Sequence, residues 1–144
     1  MLNRIYLSKE VDQRLRTLKA RTGLTPNLIC RLGFCLSLAE PGVPDIQLYS
    51  DGHGREFNRS TLTGQWDALF FALLRERLAR DGLDLEVDLE PQFKAHISRG
   101  VMLLMQRLKS VTDIADMVKE AQRRFGSEDE VKQQEREVAV AVGD

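Results

Sequence analysis

The sequence is poor in the residues that cross-link a chain, bind metals or act as nucleophiles. Its 144 residues include two cysteines, two histidines, one tryptophan and four prolines. One Cys-x4-Cys pair with no further cysteine or histidine pair does not form a structural zinc site. Cys30 and Cys35 lie in an apolar stretch, which indicates buried structural thiols rather than a disulfide in a reducing compartment.

Long apolar runs are missing as well. No stretch of eighteen apolar residues occurs, so no membrane span is expected. The first residues lack the apolar core of a secretory signal. Hydrophobic residues (42%) and charged residues (30%) are balanced as in an ordinary globular protein, and we expect a cytoplasmic one.

Motifs of catalytic and cofactor-binding sites are also lacking. His53 lies in a glycine turn, and His96 falls within a predicted helix, where a histidine satisfied by its surroundings is commoner than a catalytic base. Gly52-x-Gly54 has no third glycine and no strand-to-helix setting for a phosphate. The acidic run 84–90 lacks the ligand spacing of a calcium loop. We therefore expect no enzyme activity of the chain's own, no cofactor and no metal.

The hydrophobic periodicity predicts a mainly α fold. We expect a single-domain bundle of about five helices, with a short N-terminal extended segment over 4–8 and a small hairpin joining 46–49 to 55–57. The polar, acidic end of the chain predicts two regions, a helical domain over 1–126 and a disordered tail over 127–144. The predicted helices cover residues 9–22, 26–39, 62–81, 92–109 and 113–125.

Three further expectations concern packing. Gly100 lies inside the fourth helix, where glycine costs about 1 kcal/mol relative to alanine, and a close helix crossing is the simplest reason for it. Residues 83–90 alternate apolar and acidic side chains, which is typical of a strand but also suits an exposed connection. The expected inner face of the third helix comprises Leu62, Trp66, Leu69, Phe70, Leu73, Leu74 and Leu78.

Charge is distributed unevenly along the chain. The net charge is −1, yet residues 1–40 hold seven basic and three acidic side chains, and residues 92–125 hold the same numbers. The first basic segment could contact phosphates, since lysine and arginine on a rigid helix position a protein on DNA. A solvated surface is the alternative. The basic side chains on or beside the first two helices are Arg4, Lys9, Arg14, Arg16, Lys19, Arg21 and Arg31.

The extended segment followed by two helices resembles ribbon-helix-helix DNA binders, whose paired strands enter the major groove. A closer resemblance, to the DndE family, lies in five blocks. They read RIYLSKE over 4–10, LKARTGLTPN over 18–27, ICRLGFCLSL over 29–38, GREFNRSTLTG over 54–64 and AHISRGV over 95–101.

This second resemblance implies a role in DNA phosphorothioation, in which sulfur replaces a non-bridging phosphate oxygen of DNA. A cysteine desulfurase, a PAPS-reductase-like protein and an ATPase would supply the chemistry. The family is helical, tetrameric and able to bind nicked double-stranded DNA through basic residues, which also implies that the apolar second helix packs between subunits. The resemblance and the charge pattern together predict DNA contacts by Lys9, Lys19 and Arg21, and by Arg16 and Arg31.

Two other functions stay open at this point. One is a ribbon-helix-helix-like transcriptional repressor, which would protect a defined operator. The other is a scaffold subunit that binds proteins only.

Overall fold

The computed structural model describes residues 3–125 and 128–143. The chain divides into two compact units, 1–109 and 110–144, and each is described by itself. The mainly α fold is confirmed, with seven α-helices and one two-stranded sheet among the described residues. The elements are β1 (Arg4–Tyr6), α1 (Lys9–Thr22), α2 (Pro26–Ala39), β2 (Glu56–Asn58), α3 (Arg59–Thr63), α4 (Asp67–Arg80), α5 (Leu89–Arg107), α6 (Val111–Phe125) and α7 (Glu128–Gly143).

Helices α1 and α2 begin and end where the sequence predicts. Ser8 caps α1, because its Oγ accepts a hydrogen bond from the Val11 amide at 3.2 Å. Gly23 ends α1 in the left-handed conformation (φ 74°), and its amide donates to the Lys19 carbonyl. Pro26 starts α2 at the first helical position, where a missing amide hydrogen costs nothing.

The core of the first unit lies between α2, α4 and α5. The Phe34 ring of α2 packs against the rings of Phe70 and Phe93 at centroid distances of 5.3 and 5.4 Å. Phe71 also packs on Phe93, at a centroid distance of 4.7 Å. Aromatic pairs in such tilted arrangements stabilise beyond their buried area. The apolar stripe of α1 completes the core with Val11, Leu15 and Leu18, all fully buried.

Helices α2 and α5 cross with their backbones in contact at two glycines. A methyl group built on Gly33 would approach the Gly100 carbonyl carbon to 2.9 Å, and one built on Gly100 would overlap the Gly33 carbonyl. The close crossing expected at Gly100 is therefore confirmed. Only hydrogen at Cα lets the two backbones come this close.

The predicted hairpin over 46–57 is wrong. Residues 46–49 form a turn, and β2 pairs instead with the N-terminal β1 in an antiparallel register that places Ile5 opposite Phe57. Both side chains are buried, so the pairing closes one end of the core. Local turn residues around Gly52 suggested a short-range partner, but burial of Ile5 and Phe57 selects a strand fifty residues away.

The predicted single helix over 62–81 is broken. It consists of α3, a short 3-10 turn over Gly64–Trp66, and α4. Gly64 has φ +58° and ψ −140°, which no continuous helix contains. Trp66, Leu69 and Leu73 are exposed, although the sequence placed them on the inner face.

Residues 85–88 form a turn, and the two residues before them form no strand. The Asp84 carboxylate accepts hydrogen bonds from the amides of Glu86 and Val87 at 2.8 and 2.7 Å, and these bonds lower its pKa. Pro91 then lies in the first turn of α5, where its missing amide hydrogen is not needed.

The second unit contains α6 and α7. The amide of Ser110 donates to the Asp113 carboxylate at 2.9 Å, which supports the start of α6. Val118 of α6 is exposed. The described residues 128–143 form α7 where a disordered tail was expected, and 127 and 144 lie outside the described residues. The domain boundary after residue 126 stays a prediction.

Candidate nucleic-acid interface

The basic side chains of α1 lie on two opposite sides of the helix. At about 100° per residue, Lys9, Arg16 and Lys19 fall within about 80° of one another; we call these three the first flank. Arg14 and Arg21, seven residues apart, lie on the other side; we call them the second flank. All five side chains are exposed, because the buried stripe of α1 lies between the two flanks.

The first flank is only partly neutralised. The Arg16 guanidinium forms an ion pair with Asp12 at 3.2 Å, but its side chain remains 70% exposed. Asp12 also lies 3.4 Å from the Arg55 Nε. The side-chain ammonium groups of Lys9 and Lys19 form no ion pair within residues 3–125 and 128–143, although the Lys9 backbone amide donates to the Asp51 carboxylate at 3.1 Å. Two free ammonium groups therefore stand ten residues apart on one rigid helix, which is about 15 Å.

The second flank extends towards the end of α5. The Arg21 Nη1 lies 3.5 Å from the carbonyl oxygen of Leu108, which caps the C-terminus of α5. Exposed Arg107 is its neighbour in the chain. Arg14 and Arg107 were not among the predicted DNA contacts. The seven-residue spacing of Arg14 and Arg21 could have indicated the first, whereas no sequence signal joins α1 to α5.

Arg31 is separate from the first flank. Its Nε donates to the Leu62 carbonyl at 2.6 Å, and its Nη2 donates to the Thr61 carbonyl at 3.2 Å. The guanidinium also packs against Gly64. Arg31 thus stabilises α3 and the turn that follows it, and a DNA contact by this residue stays a prediction.

Arginines elsewhere in the first unit mostly have acidic or carbonyl partners. Arg4 pairs with Glu56 at 3.0 Å. Arg59 pairs with Asp67 at 2.8 Å, lies over the Phe71 ring at 3.9 Å, and holds the pKa of the Asp67 carboxyl below its usual value. Relative to these paired arginines, the cations of α1 are the more available to an external anion.

His96 belongs to a buried network at the C-terminal end of α2. Its Nδ1 lies 2.8 Å from the Ser37 hydroxyl, which accepts a hydrogen bond from the Arg99 Nε at 2.8 Å. The Ser37 hydroxyl thus links the Arg99 guanidinium to the imidazole, whose other nitrogen is Nε2. That atom has no hydrogen-bond partner among the described residues.

Burial of His96 first, and the charges of Arg99 and Arg77 second, lower its pKa from 6.5 to about 4. The imidazole is therefore neutral at physiological pH. Arg99 also donates to the Ser37 and Gly42 carbonyls, and Arg77 donates to the Leu38 and Gly42 carbonyls. These two cations stabilise the negative end of α2, so the network is a structural one.

The two thiols differ in exposure. Cys30 is buried, and burial raises its pKa to about 12. Cys35 is exposed, which corrects the expectation that both are buried; the apolar stretch around it did not reveal that one side of α2 is uncovered. Among the described residues, no three acidic, histidine or cysteine side chains are grouped to hold a metal ion. None of the described helices combines the length and apolarity that a membrane span requires.

Comparison with known proteins gives one family and its solved structures. The profile of the family described as DNA sulphur modification protein DndE matches residues 4–112. The crystal structure of DndE from Escherichia coli B7A, involved in DNA phosphorothioation modification, is 25% identical, covers 72% of this chain and 97% of that chain, and superposes with a TM-score of 0.60. A DndE mutant shares the fold at 23% identity, covering 72% and 98% of the two chains, with a TM-score of 0.59. No curated protein matches the chain.

Proposed function

The chain belongs to the DndE family of DNA sulphur modification proteins, and from this premise we propose that it is the non-catalytic, DNA-binding subunit of a DNA phosphorothioation complex. It binds the backbone of double-stranded DNA, nicked DNA included, as a cytoplasmic homo-oligomer, a tetramer by family resemblance. Its protein partners are the PAPS-reductase-like and ATPase subunits.

The observation that carries this proposal is the first flank of α1. Lys9 and Lys19 are exposed, and their ammonium groups form no ion pair among the described residues. Both stand on a helix capped at both ends. Their separation of about 15 Å corresponds to roughly four phosphates along one strand, at about 3.4 Å of axis each. Such contacts release condensed counterions and position the protein without reading bases. Arg16, partly neutralised, adds to this surface, whereas Arg21 would contact DNA through the second flank on the opposite side of α1.

Exposed apolar side chains support the oligomer. Leu28 and Leu32 of α2, one turn apart, are 42% and 38% exposed, and Cys35 continues the same side of the helix. Leu69 and Leu73 of α4 are 52% and 40% exposed. Apolar side chains grouped at helical spacing are typical of contacts between subunits. An oligomer repeats the basic flanks, so it gains affinity through avidity.

A salt titration of DNA affinity tests the proposal. Lys19→Glu is compared with Arg75→Glu, a matched control that makes the same change of net charge at an exposed position on α4. We expect a steep loss of affinity with salt for the wild type and little sequence preference. Lys9→Glu and Lys19→Glu should each lower the slope of log K against log salt by about 0.9. A flat salt response, or an equal effect of Arg75→Glu, would refute it.

The proposed tolerance of nicks has a physical basis in bending. A nick makes the duplex easier to deform, so a protein that bends DNA against two flanks binds nicked DNA more tightly. Affinities for intact and nicked duplexes of identical sequence test this. Equal affinities would show that bending does not contribute to binding, but would not contradict the proposed contacts with the DNA backbone.

The two alternatives differ from this proposal in measurable ways. A ribbon-helix-helix repressor presents a two-stranded ribbon made from both subunits, whereas β1 here already pairs with β2 of its own chain. Footprinting decides between them, because a repressor protects one operator. A scaffold subunit predicts that the Lys9 and Lys19 variants retain complex assembly and do not alter DNA retention.

A further inference from the structure

The outer edge of β1 carries backbone groups that no described residue satisfies. The Leu7 amide donates to the Arg55 carbonyl, and the Asn3 carbonyl accepts from the Arg59 amide. Residues on an antiparallel strand alternate between bonding to the neighbour and pointing away from it. Ile5 therefore bonds towards β2, as Asn3 and Leu7 do. The amides and carbonyls of Arg4 and Tyr6 point to the opposite side, where no described element adds a strand.

An open groove follows β1. It has a volume of about 350 Å³ and lies between β1 and the first turn of α5, lined by Ile5, Tyr6, Pro91 and Lys94. Arg4 and the carboxylate of Glu90 complete its lining. The groove thus offers apolar surface, a charge of each sign and a row of free backbone groups, which are the features that accept an added strand.

We propose that this groove takes β1 of a second copy of the chain, and that the two strands pair antiparallel about a two-fold axis at Ile5. The result is one four-stranded sheet in the order β2–β1–β1–β2 across two protomers. The inference names one interface of the proposed oligomer and rests on that part of the proposed function alone, since it requires no DNA contact.

The register follows from the hydrogen-bonding groups. With the axis at Ile5, Arg4 of each strand lies opposite Tyr6 of the other, and each pair exchanges two backbone hydrogen bonds. These four bonds use every outward amide and carbonyl of both strands. A shift by one residue would bring inward-pointing groups to the edge and leave the outward groups of Arg4 and Tyr6 unpaired.

The side chains suit the same register. Arg4 and Tyr6 share the exposed face of the strand, so each arginine comes to lie beside a tyrosine ring, a favourable cation–aromatic pair. The incoming strand brings a cation to a groove that contains Glu90. Both Ile5 side chains remain on the core face, directly opposite each other.

A four-stranded sheet has a consequence for the mode of DNA binding. The major groove admits a two-stranded ribbon. A sheet of twice that width cannot enter in the same way, so the strands do not read bases. DNA contacts then remain with α1, in agreement with the proposed backbone binding.

Cysteine cross-linking tests the register in the full-length chain carrying Cys35→Ser. Ile5 lies opposite its own copy at a non-hydrogen-bonded pair, with Cα atoms about 4.5 Å apart, within disulfide range. Ile5→Cys should therefore form a covalent dimer on mild oxidation. Tyr6→Cys alone and Arg4→Cys alone should not, because neither residue meets its own copy. Combining Arg4→Cys with Tyr6→Cys should restore the covalent dimer.

The combined variant changes only exposed residues, so it decides the question even where Ile5→Cys fails to fold. Absence of cross-links in both Ile5→Cys and the double variant would overturn the proposal, as would equal cross-linking by either single control.

A proline tests the edge independently. Tyr6→Pro removes an outward amide hydrogen and leaves every β1–β2 hydrogen bond in place, and proline is tolerated at such a position of an edge strand. We expect a folded protein, judged by circular dichroism, whose mass by light scattering is halved at matched concentration. A folded variant of unchanged mass would contradict the pairing. If the cross-links form but DNA binding does not depend on salt, only the proposed DNA-binding function is refuted. If DNA binding depends on salt but no cross-links form, only the β1–β1 pairing is refuted.

Discussion

Replacing Gly100 by alanine tests the contact on which the packing of the first unit depends. The added methyl group would overlap the carbonyl of Gly33, an atom of the facing helix backbone. A clash with a flexible side chain is relieved by a change of rotamer, but two helix backbones can separate only as rigid elements. The rings of Phe34 and Phe93 lie on these two helices, so separation also loosens the aromatic core.

The magnitude follows from two opposed effects. Alanine in the interior of α5 favours the helix by about 1 kcal/mol over glycine. Overpacking a tight core costs about 1–3 kcal/mol, and a backbone overlap belongs at the upper end of that range. We therefore expect Gly100→Ala to lower the free energy of unfolding by about 2 kcal/mol net. Gly33→Ala, whose methyl group would meet Gly100 at 2.9 Å, should lower it less.

Urea unfolding followed by circular dichroism measures both variants and the double variant. The midpoint should fall in the order wild type, Gly33→Ala, Gly100→Ala, with an unchanged slope. The double variant should lose less than the two single losses added, because a separation forced by one methyl group accommodates the other. A Gly100→Ala protein as stable as the wild type would show that the helices do not touch there, and the reasoning would be wrong.

Other predictions concern the buried network and the thiols. The pKa of His96 is lowered only in the folded state, so protonation of its imidazole favours unfolding. The free energy of unfolding should therefore be highest above pH 6.5 and should fall by roughly 3 kcal/mol as the pH falls to about 4. Urea unfolding midpoints measured from pH 4 to 7 test this pH dependence. A His96→Gln protein whose midpoint falls with pH as steeply as that of the wild type would contradict it. Arg99→Lys removes the guanidinium fork at the end of α2 and should cost about 1.5–3 kcal/mol, visible as a lower Tm; an unchanged Tm argues against the network. A thiol reagent at neutral pH should leave Cys30 unmodified in the native protein and modify it in denaturant; rapid native modification of Cys30 would refute its burial.

Much of the α-helical fold could be predicted from local signals. Ser8, Gly23 and Pro26 act within one turn of a helix end, so their effects on α1 and α2 do not depend on the rest of the molecule. The predictions failed where contacts between residues far apart in the chain determine the local backbone conformation. Gly64 breaks the expected third helix, because its φ angle is positive. The sequence pattern around a glycine does not predict the φ angle that the glycine adopts.

The candidate interface divides in the same way. Helical spacing places Lys9, Arg16 and Lys19 on one side of α1 once the apolar stripe is recognised. Spacing cannot tell which cations are already neutralised, because Arg16 meets a carboxylate in its own helix whereas Arg31 reaches carbonyls thirty residues away. The availability of each charge is a property of its neighbours in space.

The amino-acid order of this chain specifies the bounds of α1 and α2, the family and the cations of α1, because caps, periodicity and spacing act over a few residues. Only the packed molecule decides that β1 pairs with β2, that two glycines let α2 and α5 touch, and that α2 and α4 leave apolar side chains uncovered. Those features depend on which apolar surfaces are buried against each other, and these surfaces belong to segments far apart in the chain.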